Sequence, residues 1–191
     1  MSLRDIVQKE KWEKVLAIDP ASHSLAWAIL SWDKELIATG KIDLSKEKQQ
    51  SEKFNKIKKE LIEVVDQYSP DVAVIEQSVY IQNFQTSRII SYIIGFTWGI
   101  ISDRCRKIED VSPLSWKPAI GYKNVTKKDG LDLDKNGAKG SMQIKMKNER
   151  KNRVREIVGV AFGKDTDGID DDDIVDAIGI SLWYWKVKKN G

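Results

Sequence analysis

The chain has 191 residues, 41% hydrophobic and 32% charged, with a formal net charge of +3. That length supports one domain with a sizeable core, and the composition excludes a disordered or low-complexity chain. A single cysteine, Cys105, excludes an internal disulfide framework. The apolar run 89–101 is too short for a membrane span and is interrupted by Ser91, Gly95 and Gly99. Residues 1–14 mix charge with a few apolar side chains and lack an export-type apolar core. A cytoplasmic protein with no membrane partner is expected.

In chain order, 1–13 reads as a lead segment. Residues 15–19 form a continuous apolar run stopped by Asp19-Pro20, the pattern of a buried strand. Further strands are predicted over 24–32 and 35–42, and their short connections predict an antiparallel meander. Phe54, Ile57, Leu61 and Tyr68 recur at helical spacing and predict a helix over 50–68, ended by Ser69-Pro70. The apolar run 72–75 predicts an inner strand beside the first. A more apolar helix follows over 82–104, where Gly95 and Gly99 leave one face open to close approach. After a short strand over 107–111, Ser112-Pro113 supplies an N-cap and a first-turn proline. Residues 122–146 are rich in Lys, Gly, Asp and Asn and are expected to be a long basic loop insertion. A basic amphipathic helix is predicted over 147–162 and a last helix over 172–186. The whole reads as one α/β domain, 1–191, with a mixed five-stranded sheet flanked by helices.

Charge is unevenly placed. Between Lys123 and Arg155 stand eleven Lys or Arg and four Asp or Glu. From Asp165 to Asp176 there are seven acidic residues and no basic one. Asp173 and Asp176 are three apart, and Asp172 is four before Asp176, so either can share its helix face. A helix N-terminus favours negative charge, but this many carboxylates repel one another unless a cation sits among them. The strand ends Asp19 and Glu76 are the candidate partners, and oxygen donors of this kind suit Mg²⁺. No His/Cys cluster offers a zinc site, and His23 fits a turn better than catalysis. A basic surface beside an acidic pocket suits a polyanion cut with metal ions. Two motifs are decoys. Asp132-Leu133-Asp134-Lys135-Asn136-Gly137 begins like a calcium loop but has Gln143 at the twelfth position, and Gly137-Ala138-Lys139-Gly140-Ser141 lacks phosphate-loop spacing.

Three segments carry a family resemblance: Ile18-Asp19-Pro20-Ala21-Ser22, Val74-Ile75-Glu76-Gln77 and Asp173-Ile174-Val175-Asp176-Ala177. In order and surroundings they resemble the RuvC-type Holliday junction resolvases of the ribonuclease H-like superfamily, across roughly 14–185, with small phage-encoded members the nearest kind. A phage origin would place the protein in the host-cell cytoplasm. The resemblance implies a ribonuclease H-like fold, a homodimer, and paired nicks in four-way junction DNA. It implies Asp19, Glu76, Asp173 and Asp176 as catalytic and metal-binding residues, with two Mg²⁺ ions per site and Mn²⁺ as a substitute; Asp172 competes with Asp173. Where the family often has Gly after Asp-Pro, this chain has Ala21.

Lys117 matches a family position near the scissile strand. Lys145, Lys147, Arg150, Lys151 and Arg153 are candidate phosphate contacts, although any one of them could be a solvated surface charge. Tyr80 follows the Glu76 strand, where an aromatic can stack on an unpaired base. Two other readings stay open: a RuvC-like nuclease acting on forks or flaps, and a non-catalytic branched-DNA-binding module on the same fold. A binding module would gain nothing from carboxylates near phosphates. An actin-like phosphotransferase would need a glycine-rich phosphate loop, and Asp19-Pro20-Ala21-Ser22 is a poor one.

Overall fold

The computed structural model describes residues 14–78, 83–135 and 140–190. The lead segment and Tyr80 lie outside the described residues. Five strands form one sheet: β1 (Lys14–Pro20), β2 (Ser24–Ser31), β3 (Leu36–Asp43), β4 (Val72–Glu76) and β5 (Lys107–Val111). Their order across the sheet is β3-β2-β1-β4-β5. The first three form the expected antiparallel meander, while β4 lies parallel to β1 and β5 parallel to β4. Burial follows from this placement. Central β1 and β4 are apolar on both faces, as strands covered on both sides must be.

Among the described residues, five α-helices cover the two faces of the sheet. On one face lie α1 (Gln50–Tyr68) and α2 (Phe84–Ile101). Leu16, Ile18, Leu25, Ile29, Ala73 and Ile75 point toward them and meet Ile57, Leu61, Ile93 and Ile101. On the other face Val15, Ala17, Ala26, Ala28, Val72 and Val74 meet α3 (Pro113–Ile120), α5 (Met142–Phe162) and α6 (Asp172–Asn190). The alanines on this face are small, so α6 can lie low across β1 and β2.

Local chemistry explains the element ends. Gln49 and Glu52 form a reciprocal capping box at the start of α1, and Ser69 ends the helix in the left-handed conformation at φ 47°. The Asn83 side chain caps α2, and Ser112 with Pro113 starts α3 as the sequence predicts. Ala21 is not among the positive-φ residues, so the turn after Asp19-Pro20 does not demand the family's glycine; the Ala21 N–H donates to the Ser24 carbonyl at 2.8 Å.

Among the described residues of the expected 122–146 loop, most are helical. A helix α4 spans Lys127–Lys135, and α5 begins at Met142, five residues earlier than predicted. Thr126 and Asp129 exchange N-terminal hydrogen bonds around the first turn of α4, and Ser141 caps α5 through the Ile144 N–H. Arg153 braces the pair, bonding Glu149 at 2.8 Å and Asp129 at 3.3 Å. Capping and cross-helix charge outweigh the weak helical propensity of a Gly- and Asp-containing segment. Asp132 of the calcium-loop decoy lies on a helix, not in a loop.

Among the described residues, no helix is long and apolar enough to cross a membrane. Cys105 sits buried against the α1–α2 layer, and burial, then the charge of Asp71, pushes its thiol up to about 11. Thiolate is the reactive form, so at pH 8 the folded protein should react with a thiol-labelling reagent roughly 10²-fold more slowly than the urea-unfolded chain. Equal rates in stopped-flow labelling would contradict this packing.

Candidate active site

Strand parity builds the site. Val15 and Ala17 face α6, so Asp19, two residues further, faces it too. Val72 and Val74 face the same layer, and Glu76 continues their parity. Because β1 and β4 run parallel with Ile18 opposite Ile75, the two carboxylates emerge together at the same end of adjacent strands. The first turn of α6 then brings Asp173 and Asp176 over them. Val175, Ala177 and Ile178, buried in the core below, fix the rotation of that helix.

Each acidic side chain has a different environment. Trp116 Nε1 donates to Glu76 Oε2 at 2.6 Å. Lys117 Nζ donates to Asp176 Oδ2 at 3.0 Å. Asp173 Oδ2 accepts from Ser24 Oγ at 2.9 Å and pairs with Lys41 Nζ at 2.7 Å. Lys41 also bonds Asp171 at 2.8 Å, while Asp171 Oδ1 caps α6 through the N–H groups of Asp173 and Ile174. Among the described residues, no hydrogen bond reaches the Asp19 carboxylate. Asp172 turns the other way, toward α5, where it pairs with Lys151 and, at 2.9 Å, with Arg155.

Electrostatics follow from this crowding. Burial, then the charges of Glu76, Asp176 and Asp173, raises the Asp19 carboxyl well above the carboxylate range. Burial, reinforced by Asp176 and opposed by the Trp116 bond, brings Glu76 to about 7. Burial also raises Asp176, against the pull of Lys117. Burial would raise Asp173 as well, but its bonds from Lys41 and Ser24 win and lower it. Burial would lower Lys117, yet its acidic neighbours, Asp176 first, raise it.

The donor set fits a hard divalent cation: several carboxylate oxygens in one partly desolvated place, Asp19 without a protein hydrogen bond, and an excess of negative charge. Among the described residues, no three His, Cys, Asp or Glu side chains already form a closed metal-holding cluster. Bare carboxylates repel one another, and the Lys117, Lys41 and Trp116 donors hold their oxygens apart.

The other predicted residues fall in several places. Lys117 joins the site. Lys151 reaches its edge through Asp172, Lys147 and Arg150 are exposed on α5, Lys145 is half-buried, and Arg153 is the α4–α5 brace. Sequence reasoning did not single out Trp116, Lys41 or Ser24. For Lys41 and Ser24 the signal was parity and register: Lys41 pairs with Ala26 across β2–β3 and so shares the face of α6, as does Ser24 two residues before Ala26.

No family model matches the chain. The crossover junction endodeoxyribonuclease RuvC of Ehrlichia ruminantium is 28% identical over 121 residues, 60% of this chain and 76% of that protein. The structure of T. thermophilus RuvC in complex with a Holliday junction substrate superposes with a TM-score of 0.72 at 14% identity, covering 94% of this chain and 96% of that one. The chain shares the ribonuclease H-like fold of RuvC and is similar to RuvC endonucleases in sequence. The yeast mitochondrial Holliday junction resolvase shares this fold at a TM-score of 0.55 and 15% identity, covering 98% of this chain and 87% of that one. The segments around Asp19, Glu76 and Asp173–Asp176, which carry the resemblance in sequence, are the ones that the sheet and α6 bring together.

A carboxyl raised in the fold favours its neutral form. Its contribution to stability is therefore present below the unfolded value and lost as pH rises through the folded one. For Glu76 that window runs from 4.5 to about 7. In chelator, Glu76→Gln should raise Tm on the order of 5 °C at pH 8 and far less at pH 5. Scanning calorimetry at the two pH values checks this; an equal change at both would argue against a desolvated Glu76.

Proposed function

We propose that this protein is a RuvC-type, structure-selective DNA endonuclease that resolves four-way junctions by paired phosphodiester hydrolysis, with residues 1–191 acting as one nuclease domain. The observation that carries this is the convergence of Asp19, Glu76, Asp173 and Asp176 beside Lys117 on one face of a ribonuclease H-like sheet. In this reading these four carboxylates hold divalent metal, two Mg²⁺ ions per site, with Mn²⁺ able to replace them. Asp173 rather than Asp172 is the metal-binding member of its pair, because Asp172 is neutralised by Lys151 and Arg155 away from Asp19 and Glu76.

When bound, such cations lower the pKa of a water and neutralise charge on the phosphodiester. The chain's own residues do the rest. Lys117, held by Asp176, offers a fixed ammonium to a phosphate oxygen. Exposed Lys147 and Arg150 lie on α5, which packs against α6, and can carry the DNA backbone toward the site. Hydrolysis forms a bond from the water oxygen to phosphorus and breaks the bond to the 3′ oxygen, leaving a 5′-phosphate and a 3′-hydroxyl. A cytoplasmic location accords with this reading.

Paired nicks on a two-fold junction call for two copies of the site. The α2 face supports a homodimer: Phe84 and Tyr92 are large, apolar and exposed, and the Gly95 and Gly99 positions face open space. Tyr92→Glu should convert a dimer to a monomer by light scattering and turn paired nicks into single ones. A monomeric wild type that still makes paired nicks would remove α2 from this role.

The decisive experiment compares labelled four-way junction, fork, flap and linear duplex with Mg²⁺ or chelator. Wild type should nick the junction symmetrically and only with metal. Asp19→Asn and Glu76→Gln should each slow cutting roughly 10²–10³-fold, the scale of losing one electrostatic group from an active site. Equal cutting of forks and flaps would assign a broader branch nuclease. Junction binding without cutting under Mg²⁺ and Mn²⁺ would assign a binding module.

A further inference from the structure

Trp116 and Lys117 are consecutive on α3 and each bonds a different acidic residue of the site. Trp116 donates its indole N–H to Glu76 at the end of β4, and Lys117 donates to Asp176 on α6. The Lys117 ammonium also lies 4.9 Å from the centre of the Trp116 ring. A short helix thus ties the sheet to α6 at the site.

Trp116 differs from an ordinary core tryptophan. It is fully buried, and the acceptor of its N–H is a carboxylate oxygen, not a backbone carbonyl. The indole N–H donates and cannot accept, so it holds Oε2 in one direction. Among the described residues, Oε1 has no hydrogen bond, so the bond leaves that oxygen available. The ring lies against α6 at Gly179, where a Cβ would come within 2.7 Å of Cζ3 and 3.1 Å of Cη2. Any side chain at Gly179 would push Trp116 or α6 away. Gly179 is therefore the notch that lets the indole reach Glu76 under α6.

We propose that Trp116 is a positioning residue that sets the orientation of Glu76 for metal binding, with Gly179 as the notch that seats it. This rests on the reading of Glu76 as a metal-binding residue. Outer partners of metal-binding side chains typically change metal affinity or activity by ~10–100-fold when removed.

The test has two arms. The first uses ¹⁵N-indole NMR of the intact protein. In chelator, the Trp116 resonance, identified by its loss in Trp116→Phe, should lie downfield of the other indoles and move in Glu76→Gln. Adding Mg²⁺ to wild type should move it over the concentration range in which cleavage saturates. The second arm measures junction cleavage against Mg²⁺. Trp116→Phe keeps the ring bulk and removes the donor, and should raise the half-saturating Mg²⁺ about 10-fold with a smaller change in maximal rate. Gly179→Ala should shift the metal requirement in the same direction.

A folded Trp116→Phe with wild-type metal dependence, or one that loses only Tm, would make the bond a structural contact and overturn the proposal. If Trp116→Phe does not fold, the wild-type indole titration decides, and a resonance indifferent to Mg²⁺ overturns it. Failure of the underlying reading looks different: Glu76→Gln would then cut like wild type whatever Trp116 does.

Discussion

Mutual repulsion among carboxylates is the constraint on which this structure depends. Asp19, Glu76 and Asp176 are all raised, by burial first and then by neighbouring carboxylates: Glu76, Asp176 and Asp173 act on Asp19, Asp176 on Glu76, and Asp173 and Asp172 on Asp176. Left alone, such a group would spread into solvent. Here β1, β4 and α6 are each fixed by apolar packing on the far side of the carboxylate they carry, so the charges cannot escape without unpacking the core. Hydrophobic burial holds in place a site that electrostatics opposes, and a ligand of positive charge is the natural relief.

The compensating donors show how the fold manages this. Lys117 and Trp116 come from α3, Lys41 and Ser24 from the meander; Lys117, Trp116 and Ser24 each engage one acidic residue, and Lys41 engages Asp173 and Asp171. Asp173, the residue with two such partners, is the one whose carboxyl is lowered rather than raised. Asp172, one position earlier, points off the site because α6 turns by about 100° per residue and α5 presents Lys151 and Arg155 to that side. One residue along a helix is enough to separate a carboxylate that faces the candidate site from one held in an ion pair on its flank.

Much of this was legible in the sequence. The apolar runs 15–18 and 72–75, each ended by an acid, and the acidic first turn before Val175-Asp176-Ala177 marked strand ends and a helix start through local patterning. The α4 helix was not legible: its Gly, Lys and Asp content reads as loop, and its support is an Arg153 brace formed only after α5 packs beside it. Trp116 was not legible either, since nothing in Ser115-Trp116-Lys117 shows that a carboxylate forty residues earlier waits at 2.6 Å.

The sequence by itself determined which residues carry charge, which strands are apolar on both faces, and that three separate segments present acids at their ends, because these are properties of composition and short-range periodicity. Tertiary structure alone decided the register that sets Ile18 of β1 opposite Ile75 of β4, that Asp172 faces α5, that Lys41 reaches across from β3, and that Gly179 makes room for an indole. Those outcomes depend on how helices seat on a sheet. Seating is set by side-chain volumes at contacts between residues far apart in sequence, such as the small alanines under α6 and the missing Cβ under Trp116.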